Sequence, residues 1–228
     1  MNLFEKKVLS FWDRENSLTI LLIVLAIQIF IVIPFGQQTF FGRAIFYVFY
    51  ILLMVTGMLV LMKNNRLRAT TFVLLILAVV ALFGTNPSFE IAHDLITAFF
   101  CLLLNWVVLL RTFGKGPVTT HRIFGAIVAY LLIALIFALL YHTVYIIKGE
   151  ISFKGLGTAD RKEFLYFSFV TLTSIGYGDI SPVVPFLRSL ANLEGLVGQL
   201  YPGIIIARLV SMEFESSRRK KENNDRLA

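Results

Sequence analysis

Polar and charged residues are unevenly spaced along this chain, and the gaps between them are long. Leu18–Phe35, Ala44–Met62, Ala69–Gly84, Ile91–Leu110 and Ile123–Ile147 are five nearly continuous apolar runs. A helix needs about 20 such residues to cross a hydrocarbon core about 30 Å thick. A sixth run, Pro185–Met212, is less apolar and carries Arg188, Glu194, Gln199 and Pro202. The pattern predicts six membrane-spanning helices. The first run ends in Pro-Phe-Gly-Gln-Gln rather than in a small-residue cleavage site, so it is expected to be retained.

Between the fifth and sixth runs lies a different pattern. Phe164–Thr173 is apolar but only ten residues long, enough to enter a membrane and stop. Asp160, with Glu163 three residues on, is expected to cap a helix there and share in a reciprocal capping pair. Thr173-Ser174-Ile175-Gly176-Tyr177-Gly178-Asp179 follows, and glycine at alternate positions permits backbone conformations closed to other residues. Irregular backbone at membrane depth is tolerated where it is buried in protein or lines a watery path. A half-length helix followed by alternating glycines therefore predicts a re-entrant loop. Its carbonyls can turn to one side and replace the hydration shell of a cation when several copies meet. The negative end of the short helix dipole favours a cation at the same place.

Composition supports the membrane reading. Apolar residues make up 57% of the 228, and charged residues only 15%, against about 25% charged in soluble domains. This excludes a disordered chain or an ordinary soluble enzyme. The net charge of +7 points, in so apolar a chain, to anionic lipid at the cytoplasmic face rather than to nucleic acid. One cysteine, Cys101, excludes an intrachain disulfide, and three scattered histidines form no zinc pattern. Fifteen of the 21 Lys and Arg residues fall on one side of the predicted spans, which places both termini in the cytoplasm of a multi-pass protein. Met1–Asn16 puts Leu3, Phe4, Val8, Phe11 and Trp12 on one stripe, predicting an interfacial amphipathic helix. The expected organisation is an interfacial helix over 1–17, a four-helix unit over 18–110 and a Gly- and Thr-containing linker over 111–122. A pore unit over 123–212 and a charged cytoplasmic tail over 213–228 complete it. The tail is expected to be too short to fold around a ligand.

The segment from Thr173 to Asp179 resembles the potassium-channel family, whose filter reads Thr-Val-Gly-Tyr-Gly-Asp. The resemblance covers about Ile123–Met212 and is specific, because Gly-Tyr-Gly-Asp follows a half-length apolar helix and lies between two full spans. It implies an all-α membrane protein with six transmembrane helices, a re-entrant pore helix and a selectivity filter, assembled as a homotetramer in the plasma membrane. Potassium ions in the filter would be held at Ser174, Ile175, Gly176 and Tyr177, with no other cofactor. Asp179 adds negative charge at the outer mouth. Two departures stand out: Ser174 keeps the hydroxyl of the family's innermost Thr but loses its methyl, and Ile175 adds one methylene to Val. Behind the filter, Tyr166 and Phe167 occupy positions where the family often has two Trp. Val170 stands where some bacterial members place a Glu, so Asp179 lacks that carboxylate partner.

The sixth run contains Gly195, Gly198 and Pro202. Gly198 matches the family's inner-helix hinge, and Pro202 removes a backbone donor one turn later. This pattern reads either as a gating hinge or as close helix packing through Gly195 and Gly198. Glu194, ionisable within a span, is a functional candidate that either faces the ion path or supports the filter through the pore helix. Ile204, Ile205 and Ile206 are candidates for an apolar constriction.

The fourth run contains no Lys or Arg, and its polar residues are His93, Asp94 and Asn105. Each sensor charge contributes only about 2.3 kcal/mol per 100 mV, so strong voltage gating is not expected. Gln28 and Asn105 are read as interhelical hydrogen-bonding residues. The leading function is passive, potassium-selective conduction. The alternatives are a weakly selective cation channel, a transporter subunit and a non-conducting membrane scaffold or subunit. No nucleophile–base pair, metal cluster or phosphate loop points to an enzyme; Gly114-Lys115 lacks the upstream glycine of a phosphate loop.

Overall fold

A computed structural model describes residues 16–36, 40–60, 65–82, 84, 86–114, 119–157 and 160–227. Residues 1–15 of the interfacial helix expected over 1–17, with Trp12, and linker residues 115–118 lie outside the described residues. The described elements are α1 (Asn16–Ile27), a π-helical turn (Gln28–Val32) and α2 (Ile33–Gly36), then α3 (Phe40–Val60), α4 (Asn65–Leu82) and α5 (Pro87–Thr112). After these come α6 (Thr120–Lys148), a 3-10 turn (Glu150–Ser152), β1 (Phe153–Lys154), α7 (Arg161–Leu172), β2 (Ser181–Pro182) and α8 (Pro185–Leu227). The chain is an all-α membrane protein. Its one described pair of strands, β1 and β2, is antiparallel and two residues long.

Within the described residues each apolar run is mainly helical, with informative ends. The first run is not regular: Ile33 N–H reaches back to the Gln28 carbonyl, and Pro34 just after it has no N–H to continue the ladder. Pro87 opens α5 at a position where its missing donor costs nothing. Gly149, at φ 74°, ends α6, and its N–H bonds the Tyr145 carbonyl at 2.7 Å. Asp160 occupies the N-cap of α7 but makes no capping hydrogen bond. Its carboxylate lies 3.5 Å from the Lys162 ammonium instead, so the expected side-chain cap from Asp160 is not made.

Three described helices are long and apolar enough to cross a membrane: Pro87–Thr112, Thr120–Lys148 and, within α8, Pro185–Phe214. The other apolar stretches, Ser17–Val32, Ile45–Val60 and Ala69–Leu82, are shorter. α5 packs along α6, and α1 lies against α6 and α3. A continuous core of Leu21, Leu25, Leu53, Phe100, Leu104 and Leu132 joins them. α7 is wedged between α6 and α8 over a second core, chiefly Phe137, Tyr141, Phe153, Phe164 and Phe167. By contrast α8 presents Leu193, Leu196, Leu200 and Ile204 unburied, each more than half exposed. Apolar residues of α3, α4 and α5, such as Val48, Phe72 and Trp106, are exposed to a similar degree, so in a membrane protein such faces meet lipid or another subunit.

Candidate functional site

The segment after α7 is built by the end of that helix. Thr173 N–H bonds the Phe169 carbonyl, and Ser174 N–H bonds the Thr171 carbonyl, both at 3.0 Å. The Val170 carbonyl then accepts two donors, Ile175 N–H at 3.0 Å and Gly176 N–H at 3.3 Å. Successive N–H groups are thus turned back onto the helix. Among the described residues, no backbone N–H donates to the carbonyls of Ser174 to Gly178. Positive φ angles recur at every second residue: Ser174 at 57°, Gly176 at 62° and Gly178 at 79°. Left-handed residues alternating with ordinary ones bring successive backbone groups to the same side. Thr173 to Asp179 are all exposed.

The C-terminal end of the segment is held by contacts that the sequence did not announce. Tyr166 Oη donates to Asp179 Oδ2 at 2.7 Å. That hydrogen bond holds the Asp179 carboxyl below the usual carboxylate range. Tyr166 also stacks on Tyr177, with rings 4° from parallel and centroids 6.5 Å apart. Gly155, at φ 77°, lies so close beneath Asp179 that a methyl there would overlap the Asp179 carbonyl oxygen at 1.6 Å. The pairing of β1 with β2 brings this loop to the segment's exit.

Behind the segment, Phe167 is buried edge-on against Tyr141, centroids 4.9 Å apart. Val170 is buried as well, and its carbonyl is the one that accepts from Ile175 and Gly176. Glu194 is fully buried and bridges three helices. Its Oε2 accepts from Tyr141 Oη of α6 at 2.6 Å, and its Oε1 lies 2.5 Å from Ser168 Oγ of α7. Glu194 therefore sits behind the segment rather than on its exposed side. Gln199, one turn beyond, donates from Nε2 to Ser174 Oγ at 3.2 Å. Sequence reasoning recorded Gln199 only as a polar residue in the sixth run. Its spacing of five from Glu194 did not place it under Ser174.

Gly198 meets the end of α7 directly. A methyl there would lie 1.8 Å from the Leu172 carbonyl oxygen, whereas one at Gly195 would be 3.9 Å from that of Thr171. The same Leu172 carbonyl accepts Tyr130 Oη at 3.2 Å. α8 runs unbroken through Pro202. Ile205 is buried, while Ile204 and Ile206 are exposed.

A polar cluster ties α5 to the same unit. Asp94 is fully buried; its Oδ2 meets His142 Nδ1 of α6 at 2.5 Å, and its Oδ1 meets Arg161 Nε of α7 and His93 Nδ1, each at 3.2 Å. Sequence reasoning noted His93 and Asp94 without partners. A carboxylate inside a span is the signal that partners must exist. Gln28 Oε1 and Asn105 Oδ1 are buried with no hydrogen-bond partner among the described residues, so the expected interhelical bonds are not made through those oxygens. No group of three or more His, Cys, Asp or Glu placed to hold a metal ion occurs among the described residues.

Known proteins resemble the same part of the chain. Residues 127–215, less than half of the whole, match the family model described as "Ion channel". Protein LctB of Geobacillus stearothermophilus is 43% identical over 58 residues, 25% of this chain and 40% of that protein. Protein LctB of Bacillus caldotenax is 35% identical over 88 residues, 36% of this chain and 64% of that protein. The chain thus spans less than two thirds of either relative. No solved structure matches it significantly. These findings support an ion-channel domain over residues 127–215 of a membrane protein.

Proposed function

We propose that this chain is one subunit of a homotetrameric, potassium-selective channel of the plasma membrane, passive and not an enzyme. One observation supports this reading above the others. From Ser174 to Gly178 the N–H groups used within the chain turn inward, φ is left-handed at alternate residues, and the carbonyls have no backbone donor. Each chain then offers one oxygen per level, and rings of oxygen able to replace a hydration shell require copies around an axis. The exposed apolar face of α8 is the surface such copies would cover. In this reading, six spans cross the membrane with both termini in the cytoplasm, and Thr173 to Asp179 form the filter and its mouth. Tyr166, Phe167, Val170 and Glu194 support that filter, and α8 bends near Gly195, Gly198 and Pro202 to gate. Anionic lipid lies against the basic cytoplasmic side.

The test is flux from vesicles containing only this protein, with mass measurement of the solubilised complex. Expected are potassium flux well above sodium flux and a particle of four chains of 25.8 kDa plus detergent. Equal potassium and sodium flux would leave the weakly selective cation channel as the reading. Absence of flux from an intact tetramer would leave the scaffold.

A further inference from the structure

Three oxygen–oxygen contacts run in a line behind the candidate filter, and they can be counted for protons. Tyr141 Oη lies 2.6 Å from Glu194 Oε2, Glu194 Oε1 lies 2.5 Å from Ser168 Oγ, and Ser168 Oγ lies 2.8 Å from the Ala134 carbonyl oxygen. Each contact at such a distance needs one hydrogen between its oxygens. Tyr141 has one hydroxyl hydrogen, Ser168 has one, and the Ala134 carbonyl has none. With Glu194 ionised there are two hydrogens for three contacts. Either Ser168 and the Ala134 carbonyl, or Ser168 and the carboxylate, would then face each other lone pair to lone pair. A proton on Oε1 closes the set: Tyr141 donates to Oε2, Oε1–H donates to Ser168, and Ser168 donates to Ala134.

The surroundings agree with the count. Tyr141, Ser168 and Glu194 are all fully buried, and among the described residues no Lys, Arg or His pairs with Glu194. An isolated carboxylate in such a place is costly, and a neutral acid is not. The titratable neighbours are Tyr141, in contact, and Tyr130, both from α6; α7 presents only Ser168, its charged residues Arg161, Lys162 and Glu163 lying at its far end.

We infer that Glu194 is a neutral carboxylic acid that acts as a hydrogen-bond donor, clamping α7 to α8 and α6 and so positioning the filter. This rests on the channel reading only for its effect on conduction. The role is positioning, since Glu194 touches Ser168 and Tyr141 and not the segment itself. The clamp holds while the proton is present and is released as pH rises and removes it. A glutamine keeps the pattern, its amide donating to Ser168 and its carbonyl accepting from Tyr141. An alanine leaves two buried hydroxyls short of a partner.

The experiment uses the full chain in vesicles. At neutral pH, the infrared difference between wild type and Glu194→Gln should show loss of a protonated carboxyl band; loss of a carboxylate band instead would overturn the proposal. Potassium flux in Glu194→Gln should persist where Glu194→Ala loses about tenfold or more. Wild-type flux should decline on alkaline titration while Glu194→Gln flux does not. Parallel titration of the two counts against the clamp. Absence of potassium flux in wild type counts against the channel reading alone, because the infrared difference decides the proton without conduction.

Discussion

Ser174 is the only non-glycine residue with positive φ among those described, at 57°. An L-residue in that region costs about 1–2 kcal/mol, and it is held there by two bonds, its N–H to the Thr171 carbonyl and Gln199 to its hydroxyl. Gly176 and Gly178 adopt the same conformation without that cost, and a methyl at either would meet nothing within 4 Å. The requirement at Gly178 is therefore one of backbone conformation and not of space. Gly178→Ala is expected to impose about 1–2 kcal/mol of strain in every chain, enough to turn the carbonyls away and abolish potassium current. The solubilised complex should keep its mass, since nothing is displaced. Normal potassium-selective conduction in that variant would show that the segment is not the filter. At this scale the two glycines were legible because few other residues serve their purpose. Ser174 was not, because one of the two bonds that hold it comes from Gln199, 25 residues away.

Among elements, legibility followed the range of the interaction. The length of α7 could be read from ten apolar residues between polar ones, and the helical runs from hydropathy alone. The seat of Gly155 under Asp179 and the identity of the partners of Asp94 depend on distant segments, so one sequence does not name them, although a carboxylate within a span signals that partners exist. The pair Gly195 and Gly198 shows the difference clearly, since both readings, hinge and packing, were open from sequence. The structure separates the two glycines: Gly198 touches the Leu172 backbone, and Gly195 has room. Overpacking costs about 1–3 kcal/mol. Gly198→Ala is therefore expected to lower the thermal midpoint of the solubilised complex by several degrees, while Gly195→Ala leaves it nearly unchanged. Equal stability of the two variants, with equal changes in opening, would favour flexibility over contact as the role of both.

For the whole molecule, the question is what the front helices can do to the rest. In the proposed six-span arrangement α5 would hold the position of a voltage sensor, yet from Pro87 to Thr112 its charged residues are Glu90, Asp94 and Arg111. Glu90 lies in the first turn and Arg111 in the last, so only Asp94 lies well within the helix. Asp94 is also bound to His142 of α6 and Arg161 of α7, which ties α5 to the unit it would have to move against. Breaking a buried pair of this kind by removing one partner costs about 3–5 kcal/mol, more than the ~2.3 kcal/mol that 100 mV supplies to one charge. A sliding α5 is thus opposed on both counts: it carries little charge for the field to pull, and its inner charge is anchored. Arg66 and Arg68 lie at the start of α4, and in the proposed topology they would be cytoplasmic anchors rather than a sensor row. Open probability in single-channel recordings is therefore expected to change only weakly between strongly negative and strongly positive voltages. A steep activation curve, with gating current of several charges per complex that survives filter block, would refute this. The cluster around Asp94 would then have to break and reform during opening, and Asp94→Asn would shift the voltage of activation instead of merely loosening α5 from α7.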